Sequence, residues 1–423
     1  MPPSTKSLLK FYCKYAYYAG AGDFWYENGE KETKIYKVYM IISFSIYFIM
    51  FFLENMAALF GDFPEVEEKS AVMFSAIHDI ILIKMFFIVY YKSSIRKLNN
   101  EMSLVMREIE EEYVMIKQQK KVLWGITLYV ITVYLSLISY GVESLRKVIV
   151  EGTPFYTVVT YFPSYYDDSS IAGVFRIFFY MTWLYMMLPM IAADCMPITH
   201  LIIMAYKFVS LCNYYDRIRE DFSKNLLIMN NQTAAKILKS DCLNGIKMHQ
   251  KLMLIHLFLL FSLAEEIHRI FGIIMSLQVC ESSAVAVLLL LRLALSPHMN
   301  LTNAFMTYTF VGSLFFLLAL NLWNAGEITY QASMLSNAMF YCGWELCQMV
   351  EPTHRDIRRL ILIGCVQAQK PLILKAFGIQ DLSYSTFVSV SIYLLPKFIV
   401  FLILNINHVK LKIEYINRLF ETK

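Results

Sequence analysis

The chain has 423 residues, 57% of them hydrophobic, 15% aromatic and only 17% charged, with a formal net charge of +4. A soluble domain carries roughly 25% charge, so this composition, with a mean hydropathy of +0.48, excludes an ordinary soluble globule and points to a multi-pass membrane protein. No basic cluster interleaved with aromatics is present, which argues against nucleic acid as a partner.

The first 33 residues set Lys6, Lys10, Lys14 and Lys31 among Phe11, Tyr12, Tyr15, Tyr17, Tyr18, Phe24, Trp25 and Tyr26. That mixture suits a short interfacial helix. No long apolar stretch and no small-residue cleavage site lie near Met1, so a cleaved signal peptide is not expected.

Seven apolar spans follow: Tyr36–Leu59, Ala71–Tyr91, Val122–Val142, Ile171–Ile191, Ile270–Leu295, Thr302–Trp323 and Leu382–Ile406. Each is near the roughly 20 residues a helix needs to cross the hydrocarbon. The predicted fold class is therefore an all-α membrane protein of seven transmembrane helices. Lys and Arg crowd the loops after spans two, four and six, whereas the loop after span one holds Lys69 against Asp62, Glu65, Glu67 and Glu68. The positive-inside rule then places the amino terminus in the cytosol and the carboxyl terminus outside. Asn231 and Asn300 head two glycosylation sequons; a glycan on Asn231 would overturn this orientation.

Between spans four and five, Met196 to Phe258 is amphipathic and reads as helix that continues span four into the cytosol and returns. With Gly326 to Gln380 it could form a cytosolic helical anchor bundle. Eight cysteines are scattered, none in a clearly outer loop, so no disulfide framework is expected. Cys342 and Cys347 lack the matching pair that zinc would need.

His78-Asp79 is an intramembrane acid–imidazole neighbour pair. Adjacent helical residues point about 100° apart, so a structural pair or a polar cavity lining outweighs catalysis. The run Glu265-Glu266-Ile267-His268-Arg269 lacks two histidines on one face and reads as a solvated juxtamembrane run. Arg176 and Arg292 are expected to snorkel, and Glu281 could face a cavity. No phosphate-cradling glycine loop and no nucleophile elbow appear, so neither cofactor nor catalytic residue is expected. Tyr129, Tyr134, Tyr180, Trp183, Tyr185, Met186, Met306, Tyr308 and Phe310 crowd spans three, four and six. They make either ordinary helix packing or an apolar pocket for small molecules.

The rest of the chain is organised around Asn321 to Ile406. The block Leu320-Asn321-Leu322-Trp323-Asn324-Ala325-Gly326-Glu327-Ile328-Thr329-Tyr330-Gln331 resembles the sixth-span exit of insect odorant receptors, most closely those of moths. Tyr341-Cys342-Gly343-Trp344-Glu345, Gln367-Ala368-Gln369-Lys370-Pro371, Lys375-Ala376-Phe377-Gly378 and Leu382-Ser383-Tyr384-Ser385-Thr386-Phe387 are similar to the family's next signatures, in the same order.

The resemblance implies a ligand-gated cation channel with inverted topology, in the plasma membrane of olfactory neuron dendrites. The chain would join the shared odorant co-receptor in a hetero-tetramer within membrane lipid, take a small volatile ligand and bind no nucleic acid. It implies an odorant site in the outer halves of spans two, three, four and six, for which His78, Leu82, Tyr134, Ile138, Phe179, Trp183, Met306 and Phe310 are the positional candidates. It implies subunit anchoring through Trp323, Glu327, Tyr330, Gln331, Trp344, Gln369 and Pro371, and a pore at Ser385, Ser389 and Val400. The chain departs from the family after Val390: Pro396 would kink the last helix, Lys397 puts a charge on it, and Lys410, Lys412, Arg418 and Lys423 make a basic tail. An alternative or read-through terminus that binds odorant yet conducts poorly is the corresponding expectation. A G-protein-coupled receptor, with an outer amino terminus, and a membrane-embedded transporter or enzyme acting through His78 or Asp79 are the rival readings.

Overall fold

The computed structural model of the chain describes residues 4–25, 32–253, 263–295, 301–346, 351–390 and 392. Ten α-helices follow in order: α1 Thr5–Tyr18, α2 Lys34–Phe60, α3 Glu65–Tyr90, α4 Lys92–Leu104, α5 Glu112–Glu151, α6 Ser170–Ile228, α7 Asn231–Met253, α8 Leu263–Leu295, α9 Leu301–Phe340 and α10 Glu351–Ala368. A two-residue hairpin, β1 Lys375–Ala376 and β2 Gln380–Asp381, precedes a last helix whose described part is 384–390. Val400, Pro396, Lys397 and the basic tail lie outside the described residues, as does the sequon asparagine Asn300, and the side chain of Arg292 is not described either.

Sequence-local chemistry sets the helix starts. Ser4 and Ser7 cap α1 reciprocally, Thr33 accepts from the Tyr36 amide at the head of α2, and Ser169 accepts from the Ala172 amide at the head of α6. Among the described residues, α2, α3, α5, α6 and α9 are long and apolar enough to cross a bilayer. Their burial ranks them: 89% of the most apolar window of α6 is buried but only 22% of that of α2, so α6 is the central post and α2 a peripheral one.

At 1.5 Å per residue, α6 with its 59 residues extends about 88 Å, and α5 and α9 with 40 each about 60 Å. A hydrocarbon core is roughly 30 Å thick, so all three project beyond it. The projecting ends of α6 and α9 pack with α7 and α10 into a helical bundle. There Cys242 and Cys342 bring their sulfurs within 3.6 Å, and Gly245 leaves room for the buried Tyr215 ring. The first helix does more than lie at an interface. Leu8, Leu9, Tyr12 and Cys13 are buried in the main core, and the Tyr12 hydroxyl donates to the Ala192 carbonyl of α6.

Arg176 does not snorkel. Its side chain is buried, and Nη2 donates to the carbonyls of Ser164, Tyr165 and Asp167 at 2.9, 3.2 and 2.8 Å. It thereby clamps the 152–169 loop. The 265–269 run is partly self-paired, Arg269 Nε donating to Glu266 at 2.8 Å while the Arg269 side chain stays exposed.

Candidate functional site

Where α3, α5, α6, α8 and α9 converge they leave an apolar cavity of about 50 Å³, room for roughly three to five waters. Phe74, His78 and Ile81 come from α3; Tyr129, Val133, Ser136 and Leu137 from α5; Trp183, Met187, Met190 and Asp194 from α6; Glu281 from α8; and Phe310, Ser313, Leu314 and Leu317 from α9. Each set recurs at helical spacing, so a single stripe of each helix faces the space.

Aromatic rings close the upper end. Phe74 meets Tyr140, Trp183 and Phe310 with centroids 5.5, 5.8 and 6.0 Å apart, two of the three contacts edge-on. Beyond Phe74 lies a larger, polar vestibule of about 210 Å³, lined by Glu67, Glu143, Lys147, Glu151, Tyr156 and Met306 among others. The Phe74 ring lines both spaces and is the partition between them.

The floor is charged. Lys84 of α3, 1% exposed, donates to Asp194 of α6 at 2.9 Å and to Gln278 and Glu281 of α8 at 2.6 and 2.8 Å. Tyr129 of α5 donates to the second oxygen of Asp194 at 2.9 Å. One ammonium therefore joins three helices, and one carboxylate joins it to a fourth. Burying such ions costs several kcal/mol each unless they are paired and hydrogen-bonded, and here every proton of Lys84 has an acceptor.

A second polar pair stands in the side wall. His78 Nδ1 faces Glu54 of α2, and Trp183 Nε1 lies 3.3 Å from His78 Nε2. An indole N–H only donates, so Nε2 accepts and the ring proton sits on Nδ1 against the carboxylate. Next to it, Asp79 accepts from Asn55 at 3.0 Å, and Ser75 donates to the same asparagine at 2.9 Å. His78 and Asp79 thus find separate partners on α2 and do not serve each other.

Of the eight positional candidates, His78, Trp183 and Phe310 line the cavity and Met306 lines the vestibule. The structure does not bring the others there. Ile138 is 52% exposed on the outer face of α5. The Tyr134 hydroxyl is tied to the Leu184 carbonyl at 3.2 Å. Phe179 is buried against Phe175 and Phe178, and Leu82, one residue past the lining Ile81, packs half-buried against the core. Glu281 does line the cavity, but Phe74, Ser136, Lys84 and Asp194 are additions that the sequence reading lacks. The available signal was an ionisable residue within an apolar span, which Lys84 and Glu54 satisfy; Asp194 lies three residues past the end of span four as the sequence draws it.

Below the cavity, the same helices hold the start of the last one. The Phe377 amide donates to Ser276 of α8 at 2.7 Å, and the Tyr384 hydroxyl donates to Glu327 of α9 at 2.6 Å. Trp323 and Tyr384 meet edge-on with centroids 5.1 Å apart. At Gly326 an added Cβ would lie 3.0 Å from the Tyr384 ring and backbone nitrogen, so glycine allows this close approach where a side chain would crowd it. Glu327 also accepts from Gln331, so these two anchoring candidates are engaged within the chain. Trp323 and Tyr330 are about half exposed, Gln369 and Pro371 are exposed, and Trp344 donates to the Phe340 carbonyl. Ser385 and Ser389, four residues apart, are both exposed on one face.

A profile of the 7tm odorant receptor family matches residues 65–391. The chain belongs to that family. No curated protein matches it individually. Among solved structures, the insect olfactory receptor OR5 from Machilis hrabei in complex with eugenol aligns with a TM-score of 0.72 at 13% identity, covering 94% of this chain and 98% of that one. A second structure of the same receptor gives 0.71 and 13%, covering 93% and 97%. At that identity the likeness is one of fold, that of a seven-helix membrane protein.

Proposed function

We propose that the chain is the odorant-binding subunit of a heteromeric ligand-gated cation channel in the plasma membrane of olfactory neurons. The carrying observation is that α8 and α9 wall the cavity and also hold, respectively, the hairpin before the last helix and its first turn. Leu317 and Glu327 are ten residues apart on α9, about 15 Å along one rigid rod. A ligand wedged among Phe74, Trp183 and Phe310 bears on that rod, and Tyr384 moves with its end. The ligand favours opening only by the difference between its affinities for the two states, so tenfold tighter binding to the open form is worth about 1.4 kcal/mol.

That eugenol occupies a receptor of the same fold supports a small volatile as the ligand class. The exposed aromatics Trp323 and Tyr330 and the exposed Gln369 and Pro371 offer a surface for a partner, which we assign to the odorant co-receptor in a hetero-tetramer. Ser385 and Ser389 would then turn their common face to the ion path, with Val400 further along it. The loop charges support a cytosolic amino terminus.

Co-expression with the co-receptor, under voltage clamp with a panel of volatiles, tests the reading. Inward current from at least one volatile is expected; silence across a broad panel with both subunits at the surface would refute it. A tag at the amino terminus should be accessible only after permeabilisation.

A further inference from the structure

Resting on the reading of the cavity as the ligand site, we infer that Phe74 is its gate: a ligand arrives through the vestibule, and the Phe74 ring swings aside both to admit it and to make room for it.

Size carries the first step. With Phe74 in place the cavity measures about 50 Å³. An apolar cavity that takes up a single benzene ring measures about 150 Å³. A volatile of benzene's size or larger therefore enters only when a wall moves, and a close-packed interior yields only where empty space lies behind the wall. Two spaces adjoin the cavity. One lies between α2 and α6, behind His78, Trp183 and Met187, and measures about 10 Å³. The other is the vestibule of about 210 Å³ behind Phe74. Of the two, the vestibule offers a displaced side chain somewhere to go.

The bonds at the two walls point the same way. His78 is held by Glu54 on one side and by the Trp183 indole at 3.3 Å on the other. Parting them leaves buried polar groups without partners. Phe74 carries a hydrocarbon ring held only by packing, chiefly against Tyr140, Trp183 and Phe310. Turning that ring breaks no hydrogen bond. Tyr140 and Met306 line the vestibule as well, so the ring keeps an aromatic and a thioether neighbour when it turns outward.

The vestibule itself is framed by polar ties. Glu67 of α3 and Lys147 of α5, which both line it, pair at 3.6 Å. The Tyr156 amide donates to Ser144 at 2.6 Å, and the Arg176 guanidinium lies 5.3 Å from the Tyr156 ring centroid. The frame is thus fixed where the Phe74 partition is not. The Thr153 and Thr157 hydroxyls that line the vestibule have no hydrogen-bond partner among the described residues, which suits a space open to water. An apolar ligand gains by leaving that polar space for the cavity beyond the ring.

The test uses the full chain with its co-receptor under voltage clamp, with rapid exchange of a volatile that opens the channel. Thr153 is half-buried on the loop and lines the vestibule. Thr153→Cys is labelled from outside with 2-(trimethylammonium)ethyl methanethiosulfonate, whose fixed charge keeps it out of the bilayer; the unlabelled variant and the wild type given the same reagent are the controls. A narrowed approach slows entry and exit alike. Labelling should therefore slow both the rise and the decay of the current at least threefold while moving the half-maximal concentration less than twofold. Phe74→Ala should quicken both rise and decay at least threefold. Rates unchanged after confirmed labelling would overturn the gate, because the ligand then arrives by another path; unchanged rates in Phe74→Ala at the surface would overturn it too. Either result leaves the receptor reading standing, since the volatile still opens the channel. If no volatile opens the wild-type channel, the receptor reading fails and the gate fails with it. Should Phe74→Ala not reach the surface, the labelling decides alone.

Discussion

Replacing Lys84 by methionine isolates the charged floor. The substitution keeps the chain length and removes an ammonium that is 1% exposed and bonded to three acceptors on two other helices. Asp194 retains Tyr129, but Glu281 loses its ammonium partner, and the two carboxylates share one low-dielectric site. Breaking a buried ion pair from one side costs about 3–5 kcal/mol, a factor of roughly 10²–10⁴ in the folded fraction. Replacing the whole ionic set by neutral groups of similar shape is often nearly neutral by the same accounting. Lys84→Met should therefore lower the apparent melting temperature in detergent by several degrees at a fixed scan rate. Lys84→Met combined with Asp194→Asn and Glu281→Gln should recover most of the loss. A single variant as stable as the wild type, or a triple variant no better than the single one, would refute the claim that electrostatics ties α3, α6 and α8 together.

Arg176→Met should cost about 2 kcal/mol or more, because it removes the Nη2 donor that the Ser164, Tyr165 and Asp167 carbonyls share; hydrogen exchange should rise in residues 160–168 and remain unchanged in α9. Burial without a partner for Nδ1 holds His249 of α7 down at about 4. The fold therefore holds it neutral: its contribution is intact above the ordinary value of about 6.5 and is lost as pH falls toward 4, about 2 kcal/mol between pH 7 and pH 5. His249→Met should flatten that part of the melting-temperature profile, and an unchanged acid slope would count against it. Gly326→Leu should abolish ligand-evoked current with surface delivery preserved, since its side chain displaces Tyr384 from α9; Tyr384→Phe, which loses only the bond to Glu327, should shift the concentration response less.

The helices were legible because hydrophobic stretches near 20 residues leave few alternatives in a bilayer. The late family blocks were legible as sequence motifs, and at one of them the structure gives a reason, the close approach of Tyr384 to Gly326. The cavity was legible only in part. Trp183 and Phe310 stood out as large aromatics, but whether a residue faces in or out depends on helix rotation. Ile138 shows this: it sits one residue from Leu137, which lines the cavity, and it faces away. The charged floor depends on pairings between positions 110 and 197 residues apart, which no local pattern records. Arg176 was misplaced for a related reason, since its three acceptors are carbonyls of an irregular loop.

The most direct test fills the cavity. Leu314 lines it from α9 and is 8% exposed, and tryptophan there would occupy the space a ligand needs. With the co-receptor present and both subunits at the surface, Leu314→Trp should abolish current to every volatile that opens the wild-type channel. Undiminished responses from that variant would contradict the assignment of this cavity as the ligand site.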